Sequence, residues 1–230
     1  MRTTLFIIFC LLPLVTLSAG GVSGHVSNVE LSAVAWEKSI RSLSVVGAER
    51  SMEWMVPAFR RSAGLTYSGK RRVEFLQAPQ GQGEEKPHLV AEVELPYGAR
   101  EVLLLFFPRS DGTYKVIPLA NDNTGDYTEG HARVFNASTR MLAVKANEEM
   151  FSLPPGSSRI VPGDGRKIKI KAATEIDGTW RLAVSNLIEL SPQQRRSIFL
   201  VESDAACFDE VTEHGEVLKR SLVKLVSVED

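Results

Sequence analysis

The residues that could carry out covalent chemistry in this chain are few and scattered. The densest group is Cys207, Asp209, Glu210 and His214, which lie within eight positions. Its acidic neighbours disfavour the reactive thiolate, so the pattern favours an inert free thiol on a polar loop. The chain also lacks the G-x-S-x-G sequence that places a serine on a nucleophile elbow. The sequence therefore predicts no catalytic residue, no cofactor and no enzymatic activity.

Residue types that bind metals are equally dispersed. The four histidines show neither H-x-H nor H-E-x-x-H spacing. Asp122, Asp126 and Glu129 lie close together and could hold calcium through carboxylate oxygens. They lack the alternating acidic positions and the distal glutamate of a calcium loop, so we predict a solvated segment and no metal site.

Basic residues are the main candidates for a binding site. If the fold brings them together, they could bind an acidic polysaccharide or headgroup. The alternative is edge protection, because lysine and arginine on edge strands prevent sheets from pairing edge to edge. The alternating Lys167, Lys169 and Lys171 fit that alternative, and Arg195-Arg196 forms a further pair. The candidate anionic-ligand residues are Arg60, Arg61, Lys70, Arg71 and Arg72.

Aromatic residues make up 7% of the chain, which is no enrichment. We therefore expect most of them to pack in a core, with a sugar-stacking platform as the alternative. The aromatic residues considered for that platform are Trp36, Trp54, Trp180, Tyr97, Tyr114 and Tyr127.

The N-terminal segment 1–24 has the features of a cleaved signal peptide. Arg2 precedes an apolar run, Leu5 to Leu17, and Ser18-Ala19-Gly20 offers a cleavage site. The run is shorter than the roughly 20 residues that span a bilayer. We therefore expect a periplasmic or secreted protein with no membrane span after cleavage.

The charge of the chain excludes one class of partner. Its 230 residues carry a formal net charge of −1, which becomes −2 when Arg2 is removed with the signal. Nucleic-acid binders concentrate basic charge to meet phosphates, so we expect no nucleic-acid partner.

The mature chain has the pattern of strands and turns. Glu101 to Phe107 is a short apolar run typical of a strand buried on both faces. Leu89 to Leu95 and Lys167 to Lys171 alternate, as strands with one solvated face do. Ser110-Asp111-Gly112 and Asp177-Gly178 are hairpin-turn sequences.

Turn signals every 8–12 residues or so predict an all-β protein with two tandem immunoglobulin-like antiparallel β-sandwich domains. The polar segment 121–130 serves as the linker, which gives a first module at 25–120 and a second at 131–230. Two segments, Leu31 to Arg41 and Glu216 to Val226, have spacings compatible with short helices.

A faint internal repeat supports two modules. In each half a strand end, a turn and a basic residue precede a buried apolar strand. Arg72-Val73-Glu74-Phe75 and Arg133-Val134-Phe135 open the two segments alike. The repeated features are Glu94-Leu95-Pro96, Arg100 and Leu103–Leu105 in the first half, and Glu189–Pro192, Arg196 and Ile198–Leu200 in the second.

Two short segments carry a resemblance. Arg133–Ser138 (RVFNAS), followed by Phe151–Gly156 (FSLPPG), resembles a motif of small bacterial exported β-sandwich domains. In those domains an R-V-x-N-x-S strand leads to a P-G turn. The mature chain resembles a two-module secreted family of Verrucomicrobia and related bacteria. Its second module is similar to the periplasmic accessory subunit of alginate acetylation. The resemblance implies an exported, non-catalytic, two-sandwich protein and assigns no active-site residues.

Two functions follow as expectations. The first is a non-catalytic adaptor of the bacterial cell envelope that presents two β-sandwiches to a protein partner. The alternative is binding an acidic exopolysaccharide or assisting its modification.

Overall fold

The computed structural model describes residues 25–78, 86–121, 127–202, 208–211, 217–220 and 223–229. These residues form strands, turns and loops and contain no helix. They accordingly include no helix able to cross a membrane. The predicted signal peptide, residues 1–24, lies outside the described residues.

The first β-sandwich consists of two four-stranded sheets. The first inner sheet has the order β4-β1-β7-β8 and the first outer sheet the order β3-β2-β5-β6. Neighbouring strands are antiparallel except β1 and β7, which are parallel. The strands are β1 (His25–Ala35), β2 (Ile40–Val46), β3 (Ser51–Val56), β4 (Leu65–Lys70), β5 (Arg72–Gln77), β6 (His88–Glu94), β7 (Glu101–Pro108) and β8 (Tyr114–Ala120).

The second β-sandwich repeats this arrangement. Its inner sheet has the order β12-β9-β15-β18 and its outer sheet the order β11-β10-β13-β14, while β16 and β17 form a separate hairpin. The strands are β9 (His131–Asn136), β10 (Leu142–Ala146), β11 (Glu149–Leu153), β12 (Ser158–Pro162), β13 (Lys167–Ile176), β14 (Thr179–Glu189), β15 (Arg196–Glu202), β16 (Phe208–Val211), β17 (Val217–Arg220) and β18 (Val223–Glu229).

The strand orders show that the two halves are a structural repeat. Strands β1 to β7 correspond to β9 to β15, and β8 corresponds to β18. The parallel pair β1–β7 has its counterpart in β9–β15. The proposed opening segments are not equivalent, because Arg72–Phe75 lies in β5 whereas Arg133–Phe135 lies in β9.

The sequence repeat aligns Leu103–Leu105 with Ile198–Leu200, and the structure shifts this alignment by one residue. Trp36 N donates to Phe106 O, and Ala137 N donates to Leu200 O in the same place of the second sandwich. Phe106 therefore matches Leu200, so Ile198 matches Leu104 rather than Leu103. The turn before this strand is one residue shorter in the second half.

The two inner sheets pack face to face and form a third core, which we call the joint. Strands β7 and β15 consequently bury both faces, as the continuous apolar run Glu101 to Phe107 predicts. At its centre the rings of Phe135 and Phe199 stack with centroids 5.3 Å apart. The buried residues of the joint are Val34, Leu103, Leu105, Leu119, Phe135, Ala137, Phe199, Val201 and Val228.

The motif that carries the resemblance contains a buried hydrogen-bond network centred on Asn136, the last residue of β9. Asn136 is fully buried, and its Nδ2 donates to the carbonyl oxygens of Arg140 and Leu153, both at 2.8 Å. Its Oδ1 accepts the amide of Ser138 at 3.0 Å and the hydroxyl of the same residue at 2.6 Å. Its backbone oxygen accepts the amide of Gly156, in the P-P-G turn. The motif therefore has a structural role.

The two helix predictions are wrong. Leu31 to Ala35 belongs to β1, whose residues face both the first core and the joint, so its apolar content does not alternate. The segment Glu216 to Val226 contains β17 and the start of β18. At Leu31 to Ala35 burial on both faces of a sheet overrides the helical spacing, and in the second segment the pairing of β17 with β16 and of β18 with β15 does so.

Two predicted strands differ in detail. A bulge between Phe75 and Leu76 shifts the pairing with β6, so Val90 is buried and Leu89 is exposed. The sequence also predicts a strand from Tyr114 to Leu119 that Pro118 ends, but β8 continues through Pro118 to Ala120. Proline is tolerated because β8 is an edge strand and, among the described strands, pairs with β7 alone.

Candidate binding face

The structure separates the basic residues that the sequence groups together. Ser62, next to Arg61, donates its amide to Ala33 O in β1, whereas Lys70 pairs with His25 at the start of that strand. Eight residues of an extended strand span about 26 Å. Arg60 and Arg61 therefore lie at one end of the first inner sheet, and Lys70 lies at the other.

Arg71 and Arg72 are engaged by carboxylates of the neighbouring strand. Arg71 pairs with Glu94, and Arg72 pairs with Glu92. The hydrogen bond and the charge of Glu92 raise the pKa of Arg72. Surface ion pairs of this kind add little stability, but they reduce the charge available to an anionic ligand. Lys70 and Arg72 line a cavity of about 370 Å³ together with Glu74.

Arg61 reaches across the joint. Its Nη2 donates to the hydroxyl of Ser197 at 2.9 Å, and Ser197 is fully buried in β15. Beside Ser197, Arg196 donates to Ser227 at 3.3 Å. The guanidinium groups of Arg133 and Arg195 lie 5.0 and 5.5 Å from the ring centre of Tyr127. Arg61 is thus brought beside the arginines of the second sandwich, and its hydrogen bond to Ser197 links the two halves.

The lysines of β13 form a different basic surface. Ile168, Ile170 and Ala172 face the core of the second sandwich, so Lys167, Lys169 and Lys171 project from the opposite face. Edge protection is wrong for them, because β13 lies between β10 and β14 in the middle of its sheet.

A fourth lysine, Lys145 of β10, lies directly opposite Lys171. Like charges in this position destabilise a sheet. Lys145, Lys169 and Lys171 surround a cleft of about 50 Å³, together with Asn147 and Glu148. Glu148 accepts a hydrogen bond from Lys145 at 3.0 Å, and this bond and the positive charge of Lys145 lower the pKa of Glu148. One carboxylate thus faces three ammonium groups.

Exposed apolar side chains surround these lysines on the same side of the sheet. Met150 pairs with Lys145, and Leu187 pairs with Lys169, so each shares its face. The exposed fractions are 74% for Met150, 55% for Leu187, 49% for Trp180 and 39% for Leu182. Most core-facing apolar residues of this sheet are almost fully buried, so these four stand out. We call this surface the lysine face: Lys145, Lys167, Lys169, Lys171, Met150, Trp180, Leu182 and Leu187.

The aromatic residues divide between core and surface. Trp54 is buried in the first core and donates its Nε1 to Ala63 O at 3.2 Å. Tyr97 is 92% exposed, and the guanidinium of Arg71 lies 6.0 Å from its ring centre. Trp180 lies on the lysine face, far along the chain from both. These residues do not form the single sugar-stacking platform that the sequence allows.

Several candidate positions fall outside the described residues: Cys207, His214, Asp122 and Asp126. Within the described parts of the chain, no three His, Cys, Asp or Glu side chains converge on a possible metal site. No family model matches the chain, and no curated protein is significantly similar to it in sequence.

Sequence reasoning missed Lys145 and the apolar rim of the lysine face. Lys145 lies 22 positions or more from the β13 lysines and carries no motif. The available signal was the alternation from Lys167 to Lys171, but only the pairing of β10 with β13 brings Lys145 beside it.

Proposed function

We propose that this chain is an exported, non-catalytic binding protein of the bacterial cell envelope and that its lysine face docks a protein partner. The observation that supports this is the convergence of Lys145, Lys169 and Lys171 beside exposed Met150 and Leu187. Met150 and Leu187 border the lysines on either side, on β11 and β14, and such a mixture of apolar and charged side chains is typical of a protein interface. Methionine and tryptophan are also enriched in protein interfaces.

The charge of this face specifies the partner. Three lysines around one cleft repel each other in the free protein, so an acidic group that enters the cleft would relieve the repulsion. The partner is therefore a protein surface that combines carboxylates with apolar side chains. The stacked sandwiches suit this role, since the joint uses the two inner sheets and leaves the outer sheets for contacts.

Charge reversal tests this function. We expect Lys169→Glu/Lys171→Glu to reduce crosslinking of the tagged protein to its partner in cells about 10- to 100-fold, because it replaces attraction by repulsion. The fold should tolerate the change, since a carboxylate at position 171 would face Lys145. The measurement is quantitative mass spectrometry of the crosslinked species.

The matched control is Lys70→Glu/Lys115→Glu, which changes the net charge equally on the first sandwich and should leave the crosslink intact. Equal crosslinking by the wild type and Lys169→Glu/Lys171→Glu would contradict the proposal. The polysaccharide alternative would give no protein adduct and a salt-sensitive heat on titration with an acidic glycan, abolished by the same double variant.

A further inference from the structure

Phe59 has an unfavourable backbone conformation. Its φ is +50°, in the left-handed region that bulky side chains rarely adopt. The loop between β3 and β4 holds it there, because the Phe59 amide donates to Ala35 O at 3.0 Å. The amide of Ala58 donates to Ser39 Oγ, also at 3.0 Å. Glycine or asparagine would adopt this backbone with less strain, so packing or function must explain the phenylalanine.

Packing explains only part of the presence of a phenylalanine at position 59. The Phe59 side chain is 48% exposed, and its ring lies against Trp36 with centroids 5.8 Å apart. Trp36 in turn packs on Phe107, at 4.8 Å, and against the joint. Packing against the joint therefore fixes Trp36, whereas the Phe59 ring contacts Trp36 on one side and is exposed to solvent on the other.

A cation lies next to this ring in sequence. Arg60 is exposed, and among the described residues it makes no hydrogen bond or ion pair. Glu37 and Lys38, beside Trp36, are also exposed. Charged residues therefore follow each of the two rings directly in sequence.

We propose that Phe59, Trp36 and Arg60 bind a uronic-acid residue of an acidic glycan. The C–H groups on one face of the sugar would pack on the Phe59 ring. The carboxylate would pair with the Arg60 guanidinium, which matches carboxylates in a two-point geometry. A stable protein interface needs about 800 Å² per partner, whereas two rings followed in sequence by charged residues match a single sugar ring. This site lies on the first sandwich and goes beyond the proposed function of the lysine face.

Calorimetric titration of the full exported protein tests the site with a short oligogalacturonate, and a neutral glucose oligomer of equal length serves as the ligand control. We expect Phe59→Asn, which removes the ring but accepts the left-handed backbone, to weaken oligogalacturonate binding at least tenfold. Arg60→Gln should weaken it and remove its salt dependence. Met55→Ala, at another exposed apolar position, should bind as the wild type does.

Thermal unfolding separates a binding ring from a structural one. A binding role predicts that Phe59→Asn keeps or raises the Tm while affinity falls. A lower Tm with unchanged affinity would overturn the proposal, as would a wild-type protein that binds no oligogalacturonate. Loss of this binding in Lys169→Glu/Lys171→Glu would move the glycan to the lysine face and would also overturn it. Failure of the protein to bind oligogalacturonate would leave the crosslinking test of the lysine face unaffected, so the two proposals can fail independently.

Discussion

Replacement of Phe199 by alanine is expected to lower the free energy of unfolding by about 3–5 kcal/mol. The ring is fully buried in the joint and stacks on Phe135. Its loss removes apolar contact area and leaves a cavity that two facing sheets cannot close. Equilibrium unfolding in denaturant, followed by tryptophan fluorescence, measures the change.

Leu187→Ala is the matched control, because Leu187 is 55% exposed and its truncation should change the free energy of unfolding by at most about 0.5 kcal/mol. A double-mutant cycle of Phe199→Ala with Phe135→Ala should give a coupling of about 0.5–1.5 kcal/mol. If Phe199→Ala costs less than about 1 kcal/mol, the two inner sheets do not pack as described.

Asn136→Ala should cost about 2–4 kcal/mol of unfolding free energy. The amide makes four hydrogen bonds, to the carbonyl oxygens of Arg140 and Leu153 and to the amide and hydroxyl of Ser138. Alanine would leave these groups without their partner in a site where Asn136 itself is fully buried. Denaturant unfolding again gives the value.

Asn186→Ala provides the comparison for this variant. Asn186 is exposed, and its Oδ1 accepts the neighbouring Leu187 amide at 2.8 Å. Its truncation should cost no more than about 0.5 kcal/mol. Similar costs for the two asparagines would show that the network around Asn136 does not stabilise the second sandwich.

The fold class followed from the sequence because local signals agreed with the final packing. Alternation from Lys167 to Lys171 and the Asp177-Gly178 turn correctly predict β13, β14 and their hairpin, where Asp177 and Gly178 both have positive φ. The helix predicted for Leu31 to Arg41 was wrong because β1 buries residues on both of its faces. Periodicity cannot separate a strand buried on both faces from a short buried helix.

The sites were harder to predict because they depend on pairing between distant strands. The sequence allowed Arg61 and Lys70 to share one anionic-ligand site if the fold brought them together, but Arg61 instead bonds to Ser197, 136 positions away. The lysine face likewise requires the register that sets Lys145 against Lys171. The strain at Phe59 has no sequence signature, because it arises from a backbone that the loop imposes.

Together these features give each part of the molecule a distinct role. The joint makes one stack of four sheets from two repeated sandwiches. The RVFNAS motif places Phe135 in that joint, while Asn136 forms hydrogen bonds within the second sandwich. The outer sheet of the second sandwich is then available for the proposed partner. The Phe59 loop at the end of the first inner sheet offers a separate site.

Site-specific photo-crosslinking in cells tests the docking role of the lysine face most directly. A photoreactive residue at Leu187, on the lysine face, is compared with one at Met55, which is 56% exposed on the first outer sheet. We expect a discrete protein adduct from position 187 that disappears with Lys169→Glu/Lys171→Glu, and no such adduct from position 55. Equal adducts from both positions, or none from position 187, would contradict the account.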